Sequence, residues 1–149
     1  CYGVVVVVMG GAVAKGQPFN VRLQEGTERL IEAEARRTKR TKSAVVEAFT
    51  EETARTRRFA GIAFRGEDAR RRPWVIGSGL AVWALVHLLE DFGSAEALLA
   101  DTPVTAAQVR LAVAYRDAYP DEVDAAIAEN RPAVADIDVL YPFIAFAGD

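Results

Sequence analysis

Between Pro18 and Phe59 the spacing of apolar positions changes period. Phe19, Val21 and Leu23 alternate with Asn20 and Arg22, the two-residue period of a strand with one apolar and one polar face. The period then lengthens to that of a helix, expected from Thr27 as N-cap to about Thr38, with Leu30, Ile31, Glu34, Ala35 and Thr38 on one face and Ala33 at its margin. The basic run Lys39 to Ser43 breaks that helix. A second is expected with Thr41 as N-cap and Lys42, Ser43 and Ala44 in its first turn. Val45, Val46, Ala48 and Phe49 form its buried side, and Glu47, Glu51 and Glu52 its wet one.

Further on, Gly61 to Phe64 and Trp74 to Ile76 read as two short strands of a hairpin around the turn-prone Gly66, Glu67 and Asp68. A helix follows with Val82, Leu85, Val86 and Leu89 at spacings of three and four, and Gly93 is placed to end it. Ser94 caps a short helix through Ala97, Leu98 and Leu99, and Pro103 interrupts. Thr105-Ala106-Ala107-Gln108 is a capping box opening a helix with Val109, Ala112 and Val113 inward and Tyr115 and Tyr119 flanking. Pro120 starts a last helix through Val123 and Ile127, and Pro132 and Pro142 discourage a continuous helix beyond it. The expected fold is mainly α: one strand and two helices in front, then a helical bundle with a helix-turn-helix look and a small β-hairpin. The chain divides into a leader (1–17), a front domain (18–59), an Arg-rich link (60–72), a helical domain (73–130) and a tail (131–149).

A lone strand of about six residues is unstable in water, and no second strand of matching character lies near it. Its expected partner is the same strand of another copy, giving an antiparallel ribbon with Phe19, Val21 and Leu23 inward and Asn20 and Arg22 outward in pairs. Such a ribbon fits the DNA major groove, where Arg takes two hydrogen bonds on guanine and Asn two on adenine. Strand, helix, basic turn and capped helix in this order resemble a ribbon-helix-helix domain, the fold of the Arc, MetJ and CopG repressors. The Thr41-Lys42-Ser43-Ala44 turn is similar to the Ser-Lys-Ser-Ala of CopG-like members. The resemblance implies a homodimer on double-stranded DNA. Asn20 and Arg22 would contact bases, Thr41, Lys42 and Ser43 phosphates, and Phe19, Val21, Leu23, Val45 and Phe49 would form the dimer core. A helix N-terminus with free N–H groups suits the phosphate role.

Charge sharpens this picture. Of the 149 residues, 1–72 hold 15 Lys and Arg against 9 Asp and Glu, a net of +6, whereas 73–149 hold 3 against 12, a net of −9. The front half is suited to a polyanion and the back half is not. Seven arginines lie between Arg55 and Arg72, either extending a phosphate footprint or forming a mobile link. The single cysteine, Cys1, excludes an internal disulfide and a Cys-rich zinc site and points to a reducing cytoplasm. Ala12-Val13-Ala14 mimics a signal-peptidase site, but there is neither a basic leading region nor a long apolar core. Met9 is the only methionine, so translation is expected to begin there, with residues 1–8 upstream of it and 1–17 as a whole a disordered or untranslated leader. No stretch approaches the roughly 18 apolar residues of a membrane span.

The segment from 73 to about 130 resembles the family called domain of unknown function 433. The resemblance lies in RPWVIGSGL (72–80), VW (82–83), DFGSAEALLAD (91–101) and AYRDAYPDEVDAAI (114–127), in that order. Ala81 departs from it, standing where many relatives carry an acid. Such domains often resemble antitoxins paired with PIN-domain ribonucleases, and a ribbon-helix-helix segment in front resembles a VapB-type antitoxin. The implied function is that of a DNA-binding autorepressor that neutralises a PIN-domain toxin. Tyr141, Phe143 and Phe146 are candidate docking anchors, aided by the acidic Asp121, Glu122 and Asp124. The alternative is a stand-alone protein-interaction module, or a solitary regulator without a toxin. Enzyme chemistry finds little footing. Gly77-Ser78-Gly79 lacks the length and lysine of a P-loop, His87 has no second His or Cys to join it, and Glu90, Asp91 and Glu96 read as solvent-facing charges. No metal and no cofactor is expected.

Overall fold

The computed structural model describes residues 15–67 and 70–140, with the backbone alone for 132–140. Six helices and one three-stranded antiparallel sheet make up these residues, which fall into two compact units, 1–42 and 43–149.

In the first unit, residues 15–24 form no regular secondary structure and lead into helix α1, Glu25–Thr38. The helix starts two residues before the expected N-cap Thr27, which instead lies in its first turn. Gln24 takes the cap position with extended backbone, and its carbonyl accepts from the Glu28 N–H at 2.9 Å. Glu25 and Glu28 put negative charge against the partial positive charge of the helix start, which favours the earlier beginning. At the other end Lys39 adopts the left-handed conformation (φ 54°). Its N–H reaches the Arg36 carbonyl at 3.4 Å and the Arg40 N–H reaches the Ala35 carbonyl at 3.1 Å, the paired bonds of a Schellman stop.

Helix α2 spans Lys42–Arg58, and beyond its first residue it lies in the second unit. The sheet runs β1 (Ile62–Arg65), β2 (Arg72–Val75) and β3 (Leu80–Ala81), in that spatial order, with Ile62 opposite Val75 and Arg65 opposite Arg72. The expected hairpin is therefore present, with a third short strand added. Between β2 and β3 Ser78 holds a tight turn: its hydroxyl donates to the Val75 carbonyl at 2.8 Å and accepts from the Leu80 N–H at 3.0 Å.

Four helices complete the unit: α3 (Val82–Phe92), α4 (Ala95–Asp101), α5 (Ala106–Ala118) and α6 (Pro120–Leu140). Their ends follow local chemistry. Gly93 (φ 76°) stops α3, Ser94 accepts from the Ala97 N–H at 3.2 Å, and the Thr105–Gln108 box is closed in both directions. Val82, Leu85 and Val86 of α3, Leu98 of α4 and Val109 of α5 bury together with Ile62 and Val75 of the sheet. Two expectations need correction. Tyr115, expected at the flank of its helix, is completely buried. Helix α6 also continues through Pro132 to Leu140, because a proline inside a helix removes one backbone bond without obliging the remaining ones to break.

Phe59, just past α2, lies in the same core and meets the Tyr115 ring edge-on at 5.2 Å. Above it Arg55, with only 15% of its side chain exposed, closes a polar clamp. Its guanidinium donates to Tyr115 Oη at 2.8 Å, Glu122 at 2.6 Å and Glu51 at 2.6 Å, and lies 4.0 Å over the Tyr119 ring. Tyr115 in turn donates to Glu122 at 3.1 Å. Burial, followed by the Glu122 charge, pushes the Tyr115 hydroxyl well above its ordinary range, so it stays a neutral donor. Burial works against the Arg55 charge, but the bonds to Glu122 and Tyr115 outweigh it and hold the guanidinium protonated.

Two stability outcomes follow from this geometry. Tyr115→Phe keeps the ring and removes only the hydroxyl, and should lower stability by about 1–2 kcal/mol in denaturant unfolding. An unchanged midpoint would remove the clamp from the account. Lys39→Gly relieves a left-handed side chain and should stabilise by about 0.5–1 kcal/mol, read as a higher thermal midpoint.

Candidate nucleic-acid interface

The stretch expected to read DNA is exposed along its length. Asn20 and Arg22 are both exposed, and so are Phe19 (83%) and Val21 (60%), while Leu23 is partly buried. Within one chain, residues 15–24 enter no strand ladder. The apolar face that alternation predicts thus stands in water, at about 1.5–3 kcal/mol of unrealised burial for each large side chain.

The helices repeat this split. On α1, Ile31 is buried while its neighbour Leu30 is 70% exposed. On α2, Val45 is fully buried while Phe49 is 45% exposed. Of the five expected dimer-core residues, then, Val45 is already covered within the chain and Phe19, Val21 and Phe49 are not. Leu30 joins the exposed set, and its place on the apolar stripe of α1 gave no sign that Ile31 alone would be covered.

At the basic turn, Thr41, Lys42 and Ser43 are all exposed, and α2 begins at Lys42. Lys42 is not idle. Its Nζ pairs with Glu28 and lies 3.6 Å from Glu32 on α1. The hydrogen bond to Glu28 raises the Lys42 pKa above its ordinary value, so the ammonium is fully charged but shared between two carboxylates. These carboxylates are functional neighbours missing from the sequence argument. Their signal is their spacing of four, which aligns both on one edge of α1.

The rest of the chain holds less chemistry. His87 sits on α3 with Nε2 3.5 Å from Asp91 and Nδ1 4.0 Å from Glu90. Among the described residues no group of three or more His, Cys, Asp or Glu is placed to hold a metal ion, and no helix is long and apolar enough to cross a membrane. An open cleft of about 640 Å³ is lined by Arg70, Arg71, Arg72, Trp83, Glu122 and Glu129 among others, but Glu122 bonds to Arg55 and Glu129 to Arg72. In the acidic patch expected to aid docking, Glu122 is thus engaged and Asp124 accepts from Arg116 at 2.8 Å. The candidate anchors Tyr141, Phe143 and Phe146 lie outside the described residues.

Replacing Glu28 and Glu32 together by Gln removes both competitors for Lys42. Binding to a random-sequence duplex should then tighten at every salt concentration, because Lys42 no longer has to leave two carboxylates to reach phosphate. Affinity equal to the parent chain's would show that Lys42 does not reach phosphate.

The chain matches no protein-family model, no curated protein and no solved structure.

Proposed function

We propose that this chain is a dimeric DNA-binding autorepressor and the antitoxin of a toxin–antitoxin pair, acting in the cytoplasm. One observation supports the DNA-binding part: in a segment without regular secondary structure, exposed Phe19 and Val21 alternate with exposed Asn20 and Arg22, and two helices joined by a basic turn follow. A second copy supplies what this segment lacks. Pairing two such segments satisfies their backbone groups and buries Phe19 and Val21. The outward Asn20 and Arg22 then form a paired set of donors and acceptors for base edges, with Thr41, Lys42 and Ser43 at the start of α2 against the flanking phosphates.

The toxin-neutralising part rests on the resemblance of residues 73–130 to domain of unknown function 433. The net charge of −9 over 73–149 supports it, since it suits contact with a protein that carries a basic RNA channel better than contact with DNA. The partner of this reading is a PIN-domain ribonuclease.

Fluorescence anisotropy on the duplex upstream of the coding sequence, against a scrambled duplex at two salt concentrations, tests the DNA reading. A preference of about a thousandfold with steep salt dependence is expected. Arg22→Ala should cost about 1–3 kcal/mol on the upstream duplex alone, whereas Lys42→Ala should weaken both duplexes alike and flatten the salt slope by about one unit. Equal, weak binding to both duplexes would contradict the reading and favour a protein-interaction module. For the toxin part, co-purification with the product of an adjacent small reading frame rich in spaced acids is the expected result. A chain that purifies alone from such co-expression would be a solitary regulator.

A further inference from the structure

We propose that a shallow groove between the open end of the β1–β2 hairpin and α5 docks a protein segment in which an apolar side chain adjoins a carboxylate. Ile76 and Leu111 receive the apolar side chain, and Arg110 pairs with the carboxylate. The proposal concerns the second unit alone and rests on neither the DNA reading nor the toxin reading.

The groove holds about 450 Å³, with Ala60, Gly61 and Ile76 on the hairpin side and Ala107, Arg110 and Leu111 on the side of α5. Its shape depends on a close approach. Gly61 has φ +103°, and a Cβ there would lie 2.8 Å from Leu111 Cδ2, so the hairpin meets α5 this closely only with glycine at 61. Ile76 follows the buried Val75 and is itself 56% exposed. Its backbone is tied down on both sides. The Ile76 N–H donates to the Gly61 carbonyl at 2.8 Å, and the Ile76 carbonyl accepts from Gln108 Nε2 at 3.2 Å. Gln108 is fixed in turn by its capping box, where Oε1 accepts from the Thr105 N–H at 3.0 Å. An apolar side chain fixed in water, in the same groove as Leu111 and Ala107, offers area that a partner buries with little ordering cost.

Charge sets the second requirement. Arg110 is exposed, and among the described residues no carboxylate pairs with it. Its helical neighbours three and four positions away are Ala106, Ala107, Val113 and Ala114, so its own face of α5 supplies no acid. Arg116 on the same helix, by contrast, pairs with Asp124 at 2.8 Å and Glu90 at 3.9 Å. A guanidinium left alone at the rim of an apolar groove is complementary to a single carboxylate, which it binds with two parallel hydrogen bonds. Nucleic acid is a poorer fit, because apolar walls offer phosphates nothing and residues 73–149 carry a net charge of −9. An open groove also encloses too little of a small molecule, whereas a protein segment lying across it is held on both sides by its own chain. Apolar contact with an arginine beside it is the ordinary anatomy of a protein interface.

The test titrates the full-length, isotope-labelled chain with the peptide acetyl-Ala-Leu-Asp-Ala-amide and follows its backbone amide resonances. Saturable shifts clustered at Gly61, Ile76, Gly77 and residues 107–111 are expected, with a dissociation constant on the order of a millimolar. The matching Leu-Asn peptide should bind about tenfold more weakly, for want of the charge-assisted pair. In Arg110→Gln the two peptides should bind equally, and in Ile76→Ser both should weaken about tenfold. Both positions are exposed, so each variant should keep the parent's resonances outside the groove and a thermal midpoint within a few degrees of the parent's. No saturable shift in the groove, or equal affinity of the parent chain for the Asp and Asn peptides, overturns the proposal. So does a loss of self-association in Ile76→Ser by sedimentation equilibrium, since a second copy would then fill the groove. Each of these results leaves the DNA and toxin readings standing.

Discussion

The guanidinium of Arg55 is the pivot of the larger unit. It is mostly withdrawn from water, and it is held by Tyr115, Glu122 and Glu51 while lying on the Tyr119 ring. A charge in that setting is tolerable only with its partners in place, so α2, α5 and the start of α6 must come together for any of them to be satisfied. Phe59 continues the same contact into the apolar core. The end of α2 is thereby fixed to the bundle, while its beginning carries the basic turn of the proposed DNA-binding surface. One helix therefore serves two roles, and its charged residues divide accordingly: Arg55 inward, Lys42 outward.

The front of the chain presents the opposite condition. Its apolar positions are made but not used: Phe19, Val21, Leu30 and Phe49 stand in water beside Ile31 and Val45, which are buried. In the proposed dimer this is the expected state of one half of an interface. Lys42 shows a comparable readiness, since Glu28 and Glu32 hold its charge where phosphate would otherwise sit. In the proposed complex phosphate would displace those carboxylates, at the same cost on every sequence, and discrimination would rest with Asn20 and Arg22.

What the sequence revealed and what it hid divide by range. Gly93, the Ser94 cap and the Thr105–Gln108 box are settled by residues within four positions of one another, and all three act as expected. The hairpin followed from its strand composition and turn residues, and its pairing of Ile62 with Val75 agrees. Thr27 misled because a cap-forming residue competes with the acidic pair Glu25 and Glu28, and the acids set the start. Pro132 misled because local propensity does not decide a helix that is already propagating. Most of the Arg55 clamp was hidden: Tyr115 and Glu122 lie 60 and 67 residues away, and only Glu51, one helical turn back, sets Arg55 apart from Arg57 and Arg58. Among the arginines from Arg55 to Arg72, pairing with Glu122, Glu52 and Glu129 sets Arg55, Arg71 and Arg72 apart, and no local pattern announces those three partners.

The account depends most on what covers Phe19 and Val21, and amide hydrogen exchange across Pro18 to Leu23 reads this directly. Two paired segments would protect alternate amides of this stretch, and protection would fall as the chain is diluted through its dimer dissociation constant. Exchange at the rate of a free peptide at every concentration would mean that no ribbon forms, and the proposed DNA-reading surface would lose its foundation.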